Sequence, residues 1–186
     1  MKLNDSKIHL VVGEKGSGKT TLAAYITKKY ENECIVFSNV PIKGSHKIEI
    51  DDLRKCRLPK NSIVLIDEAA AEINCRDWRQ TGTDMLKLLQ QVRHFESTLF
   101  WFSQSITALD IQVTDLCDDA IKCCKLPFGF SEYRIATKRF SKRGHAVFES
   151  TRKKFIIYRK KYYELFDTHY IDSVLEARDV IKIESW

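Results

Sequence analysis

Eight residues, Gly13-Glu14-Lys15-Gly16-Ser17-Gly18-Lys19-Thr20, constrain this chain more than any others. They fit G-x-x-x-x-G-K-[ST] at every fixed position, between an apolar run from Ile8 to Val12 and a helical stretch from about Thr20 to Tyr30. A buried strand, a glycine-rich turn and a helix are the setting in which such a loop cradles phosphates. Glycines let backbone N–H groups turn inward, and the helix N-terminus adds a fixed positive end. The expected nucleotide contacts are Gly13, Glu14, Lys15, Gly16, Ser17, Gly18, Lys19, Thr20 and Thr21. Lys19 reaches the β and γ phosphates and Thr20 ligates Mg²⁺.

The pattern around the loop predicts the rest of the core. Strands are expected at Ile8 to Val12, Cys34 to Ser38, Ser62 to Asp67, Thr98 to Ser103 and Ala120 to Leu126. Asp84 to His94 carries Met85, Leu88, Leu89 and Val92 at helical spacing. Strand and helix alternate, so the fold class is α/β with a mainly parallel central sheet. Beyond it, Tyr133 to Phe140 and Ala146 to Tyr162 read as an antiparallel hairpin turning around Lys142 to Gly144, with a helix from about Thr168 to Ala177. No repeat or Ser/Gly/Pro-rich linker divides the sequence. Residues 1–186 are expected as one domain, with a nucleotide-binding core over 1–126 and a basic β appendage with a C-terminal helix over 127–186.

The strand Ser62 to Asp67 ends in Asp67-Glu68, the arrangement in which an aspartate holds Mg²⁺ and the adjacent glutamate polarises the attacking water. An acidic helix cap is the plainer alternative. Gln104 follows the strand Thr98 to Ser103 directly, where a polar tip faces a γ phosphate at the carboxyl edge of the sheet. Arg93, at the end of the preceding helix, reads either as a finger into a neighbouring subunit's site or as a solvated helix-end cation. The catalytic set is therefore Lys19, Glu68, Gln104 and Arg93, with Thr20 and Asp67 as metal ligands.

The chain of 186 residues carries a net charge of +6, unevenly placed. Arg134 to Lys161 holds eleven basic residues against one acid, Glu149, interleaved with Phe140, Phe148, Phe155, Tyr158 and Tyr162. A solvated charged face is one reading; a surface for nucleic acid phosphates is the other, with Arg139, Lys142, Arg143, Arg152, Lys153 and Lys154 as its contacts. No base-reading motif is present.

Six cysteines fall at irregular intervals without a C-x-x-C pair, and five histidines are equally scattered, so reduced thiols and no structural metal are expected. No apolar run approaches the roughly 18 to 20 residues of a membrane-spanning helix. Met1 to Asp5 is polar and carries no signal-peptide core. A soluble protein of a cytosol is expected.

Four blocks together resemble the zonula occludens toxin-like ATPases of filamentous phages, within the wider FtsK-HerA class of DNA-pumping ATPases. They are Gly13 to Thr20, Phe37-Ser38-Asn39-Val40-Pro41, Ile66-Asp67-Glu68-Ala69, and Val92-Arg93-His94 through Phe102-Ser103-Gln104, followed by Asp110-Ile111. The resemblance spans about Ile8 to Leu116. It implies an ATP- and Mg²⁺-dependent motor acting on phage DNA in packaging, virion assembly or export. It also implies Gln104 as sensor, Arg93 as a finger across a subunit boundary, and assembly into a ring, expected to be a hexamer. Many such proteins continue into a membrane span; this sequence stops at Trp186, which favours a motor of the host cytoplasm docked on a capsid or membrane partner. Two other readings stay open: a small-molecule kinase using the same loop, and a nucleotide-controlled DNA-binding adaptor.

Overall fold

The computed structural model describes residues 7–48, 58–67, 92, 95–105, 111–142 and 144–167. The chain enters through β1 (Ile8–Val12), whose five residues are all buried. Continuous apolar strands of this kind belong to parallel sheets covered on both faces. After the loop comes α1 (Lys19–Tyr30), then β2 (Val36–Ser38), the two-residue β3 (His46–Lys47), β4 (Ile63–Asp67) and β5 (Thr98–Ser103). A six-residue helix, α2 (Ile111–Leu116), leads to β6 (Asp119–Lys125). The long strands β7 (Phe130–Phe140) and β8 (Ala146–Tyr158) follow, and a 3-10 segment runs over Arg159–Leu165.

All eight strands form one sheet in the order β3-β2-β4-β5-β1-β6-β7-β8. The first six strands in this order are mutually parallel, in five pairings; β7 pairs antiparallel with β6, and β8 antiparallel with β7. The basic hairpin thus continues the central sheet rather than standing off it.

Strand periodicity sorts the core into two layers. Leu10, Val64, Ile66, Leu99 and Trp101 face one side, where Val92 is fully buried among them. Val11, Ile63, Leu65, Phe100 and Phe102 face the other, packed under Leu22, Ala23 and Ile26 of α1. His9 is tolerated within β1 because its Nδ1 lies 2.6 Å from Asp119 Oδ1 and its ring stacks on Phe100 at 4.6 Å.

Several boundaries differ from the sequence expectation. The second strand starts at Val36 rather than Cys34, and the sixth runs Asp119–Lys125. β7 begins at Phe130, three residues before the expected start, because Phe130, Ser131 and Glu132 already pair with Tyr158, Ile157 and Ile156 of β8, and Ser131 and Glu132 with Lys125 and Cys124 of β6. β8 stops at Tyr158 instead of Tyr162. From Arg159 the chain leaves the sheet edge and crosses α1, so that Tyr162 is buried edge-on against Tyr25 at 5.9 Å. It reaches the opposite side of the sheet, where Lys43 N–H donates to the Leu165 carbonyl at 2.7 Å and Ile42 pairs with Phe166. β3 and α2 were not anticipated. The expected helices at Asp84 to His94, apart from Val92, and at Thr168 to Ala177 lie outside the described residues.

Candidate nucleotide-binding site

β1 delivers the loop to the carboxyl edge of the sheet, where Gly13 N–H donates to the Ser103 carbonyl at 3.3 Å. Gly13 has no room for a side chain: a Cβ there would lie 2.8 Å from the Cys123 carbonyl oxygen and 2.9 Å from Cys123 Cβ. The Cys123 thiol, buried behind the loop, is pushed up to about 12 by loss of solvent and stays neutral. Gly18 caps α1 at φ 107°, a left-handed value that glycine adopts without strain. Its carbonyl accepts the first helical bond, from Leu22 N–H at 3.0 Å.

Lys19 folds over the loop, donating from Nζ to the Gly13 carbonyl at 2.6 Å and the Glu14 carbonyl at 3.2 Å. Burial holds its ammonium below the ordinary lysine value, against the opposing pull of Asp67. The Ser17 hydroxyl oxygen is buried inside the loop without a hydrogen-bond partner. Three consecutive loop carbonyls are held by side chains from the C-terminal part of the chain. Arg159 Nη1 donates to Gly16 at 3.1 Å, Ser131 Oγ to Ser17 at 2.7 Å, and Tyr133 OH to Gly18 at 2.8 Å.

The sheet order brings the remaining groups together. β4 and β1 are separated by β5, so Asp67, Gln104 and the loop arrive from three adjacent parallel strands. Asp67 is half-buried, and the Asn39 side chain bonds both its N–H, at 2.8 Å, and its carbonyl, at 2.9 Å. Gln104 is exposed at the tip of β5. Lys15, Gly16, Gly18, Lys19, Thr20, Thr21, Asp67, Ser103 and Gln104 line one cavity of about 380 Å³, closed on the far side by Val40, Pro41, Arg159, Tyr163, Phe166 and Asp167. Glu68 and Arg93 lie outside the described residues.

The basic strands divide into used and unused cations. Lys154 and Arg134 both pair with buried Glu132, at 2.8 and 2.5 Å, and Arg139 pairs with Glu149 at 2.9 Å. Between the pairs Arg134–Lys154 and Ala136–Ser150, β7 supplies one residue and β8 three, Thr151, Arg152 and Lys153. Thr151 Oγ1 satisfies this bulge by donating to the Ile135 carbonyl at 2.7 Å. Arg152 and Lys153 are left exposed on it, and Lys142 is exposed at the hairpin turn. Arg143 lies outside the described residues. Of the interleaved aromatics, Phe148 and Phe155 pack against the core and Tyr162 is buried, leaving Phe140 and Tyr158 exposed at opposite ends of the hairpin.

Sequence reasoning missed the parts played by Asn39, Ser131, Tyr133 and Arg159. Asn39 stood in the resemblance without a role, Ser131 and Tyr133 signalled only as alternate polar tips on one strand face, and Arg159 was hidden in the basic run.

The family model of Novel STAND NTPase 3 matches residues 1–105, which include the phosphate loop, Asp67 and Gln104. The chain belongs to this NTPase family. The novel STAND NTPase match ends before Ser131, Tyr133 and Arg159, so the three side chains that bond its phosphate-loop carbonyls come from beyond the matched segment. No curated protein matches the chain. Among solved structures, it is similar to the N-terminal domain of zonular occludens toxin from Neisseria meningitidis, at 18% identity and TM-score 0.56, covering 88% of this chain and 100% of that one. It is also similar to a KaiC-like protein from Pyrococcus horikoshii, at 14% identity and TM-score 0.51, covering 82% and 85%. At these identities the likeness is one of fold, and it bears out the α/β class expected from the sequence. Among the described residues, no helix is long and apolar enough to cross a membrane.

Proposed function

We propose that this NTPase hydrolyses ATP with Mg²⁺ and couples hydrolysis to translocation of phage DNA, in genome packaging or virion assembly and export, as a member of the FtsK-HerA class. The observation that carries the reading is the cavity in which Lys19, Thr20, Asp67 and Gln104 meet at the carboxyl edge of three neighbouring parallel strands. Lys19 and the loop amides hold the β and γ phosphates. Thr20 and Asp67 offer the oxygen donors that suit Mg²⁺, which when bound neutralises phosphate charge. Glu68 polarises the attacking water, Gln104 senses the γ phosphate, and Arg93 serves a neighbouring subunit in a hexameric ring. Residues 1–186 act as one domain.

DNA phosphates meet the basic strands through Arg139, Lys142, Arg143, Arg152, Lys153 and Lys154. Support for this surface is strongest at Arg152 and Lys153, which have no acid partner among the described residues. Ser131 and Tyr133 join the same hairpin to the phosphate loop, a direct route from nucleotide to DNA surface. The motor works in the host cytoplasm, docked on a capsid or membrane partner.

The test is steady-state ATP hydrolysis with and without single- and double-stranded DNA at several salt concentrations, for the native chain, Lys19→Ala and a variant neutralising Arg152, Lys153 and Lys154. Stimulation by DNA that both variants lose is the expected result. Turnover indifferent to DNA would exclude the motor and leave a kinase or another remodelling ATPase.

A further inference from the structure

Arg159 belongs by sequence to the basic run, yet its side chain turns away from that surface. Nη1 is 3.1 Å from the carbonyl of Gly16, at the crest of the phosphate loop, and the guanidinium lines the same cavity as Lys19, Asp67 and Gln104. Among the described residues its buried Nε has no hydrogen-bond partner and no acid pairs with it. A half-buried arginine that lines the cavity and pairs with no carboxylate among the described residues, beside a loop shaped for phosphates, is suited to bind an anion.

Its backbone is fixed on both sides. β8 ends at Tyr158, immediately before it. Three residues later Tyr162 is buried against Tyr25, and Leu165 accepts a bond from Lys43 at 2.7 Å. A guanidinium mounted on a segment anchored at two ends needs little reorganisation when charge develops beside it, which is the condition for electrostatic stabilisation of a transition state.

We propose that Arg159 is a catalytic residue that meets the terminal phosphate of the bound nucleotide from within the same chain. The inference rests on the reading of the cavity as a nucleoside triphosphate hydrolysis site. As the water oxygen bonds to the γ phosphorus, the bond from phosphorus to the bridging oxygen breaks, and the diphosphate leaves with the electron pair. The proton of the water passes to Glu68. Arg159 stays protonated throughout and offsets the charge gathering on the phosphoryl and bridging oxygens.

The test compares the native chain with Arg159→Ala, Arg159→Lys and Lys19→Ala, by phosphate release over a range of ATP concentrations with Mg²⁺, alongside melting temperatures. The expected result is a kcat lower by about 10²-fold or more in both Arg159 variants, since an ammonium does not reproduce the planar fork. KM stays within about threefold, the signature of an interaction made in the transition state. Mixing Arg159→Ala with Lys19→Ala does not restore turnover, because the arginine and the loop it serves are in one chain. Arg159→Lys keeps the aliphatic stem and reads the chemistry if Arg159→Ala fails to fold. Three results overturn the inference: turnover of the variants within about threefold of native, loss of nucleotide binding that accounts for the whole defect, or recovery on mixing. With the native chain active and Lys19→Ala inactive, any of these removes the role of Arg159 alone. A native chain that releases no phosphate overturns the hydrolysis reading as well.

Discussion

The side-chain amide of Asn39 clasps the peptide of Asp67 on both sides, accepting from its N–H at 2.8 Å and donating to its carbonyl at 2.9 Å. Asn39 is itself buried, at 8% exposure, and sits just beyond β2. The end of β4, and with it the direction of the Asp67 carboxylate, is therefore set by a neighbouring strand. Asn39→Ala should lower stability by about 1–3 kcal/mol, the usual cost of losing buried polar partners, as read by urea unfolding. Phosphate release should fall roughly tenfold or more while nucleotide affinity changes less, because misplacement by an ångström is felt in the chemical step. Asn39→Asp should not rescue it, since a carboxylate cannot donate to the Asp67 carbonyl. Native turnover in Asn39→Ala would remove Asn39 from the site.

The loop glycines offer an internal comparison. Gly16 and Gly18 both have positive φ, 76° and 107°, but a Cβ at Gly16 would meet open space, whereas one at Gly18 would run into the Ser131 and Tyr133 hydroxyls. Gly16→Ala should cost only about 1–2 kcal/mol for the left-handed backbone. Gly18→Ala should cost more and should weaken nucleotide binding further, because it also displaces the two hydroxyls from the loop. Calorimetric titration with ATP beside thermal melting separates the two variants; equal losses would mean that the contacts of Ser131 and Tyr133 do not matter.

The sequence was most legible where local pattern and long-range position coincide. β1 and β5 fall where their largely apolar runs placed them, and the phosphate loop sits between β1 and α1. Less legible were groups whose role is created by the crossing of distant segments. Tyr133 lies 115 residues from the loop carbonyl it bonds, and Arg159 lies 143 residues from Gly16. Nothing in the periodicity of β7 distinguishes a hydroxyl that braces a loop from one facing water. The charge run misled in a related way: counting cations did not reveal that Glu132 holds two of them and that Arg159 turns inward. The end of β8 was misplaced because aromatic residues, Tyr162 and Tyr163, continue past it, while burial of Tyr162 on α1 overrides strand propensity there.

The cations on the bulge and those in ion pairs should separate in a salt titration of DNA binding. Replacing Arg152 and Lys153 with alanine should reduce the slope of log affinity against log salt by about 1.8 on duplex DNA, the value for two phosphate contacts. Lys154→Ala should change the slope less and the melting temperature more, since its ammonium is engaged by Glu132 at 2.8 Å. An unchanged slope in the double variant would take the bulge out of the nucleic acid surface.

Glu132 gives the fold an acid sensitivity. Hydrogen bonds from Lys154 and then Arg134 hold its carboxyl below the usual glutamate value. A carboxylate whose native pKa is depressed contributes stability that is present above its unfolded value, about 4.3, and is lost as pH falls through the native value. Glu132→Gln should therefore be less stable than the native chain at pH 7, and the gap should begin to narrow as pH falls below about 4.3 and close only below the depressed native value, where both carry a neutral side chain. Urea midpoints at pH 7, 5 and 3 measure this; a gap that stays constant with pH would show that the ion pairs contribute nothing.

The two rims of the sheet are unlike its interior in a way that bears on how copies of the chain can join. At one rim, among the described residues, β3 offers His46 and Lys47, too short a ledge for an incoming strand to grip. At the other, the thirteen residues of β8 would be a long template, but the inserted residues at Thr151 to Lys153 break its rhythm of amides and carbonyls at mid-length. A second copy laid along it would also bring Arg152 and Lys153 against their own counterparts. Both rims are thereby guarded against runaway stacking into fibrils, and a ring of the kind proposed above would have to be built from the faces of the sheet.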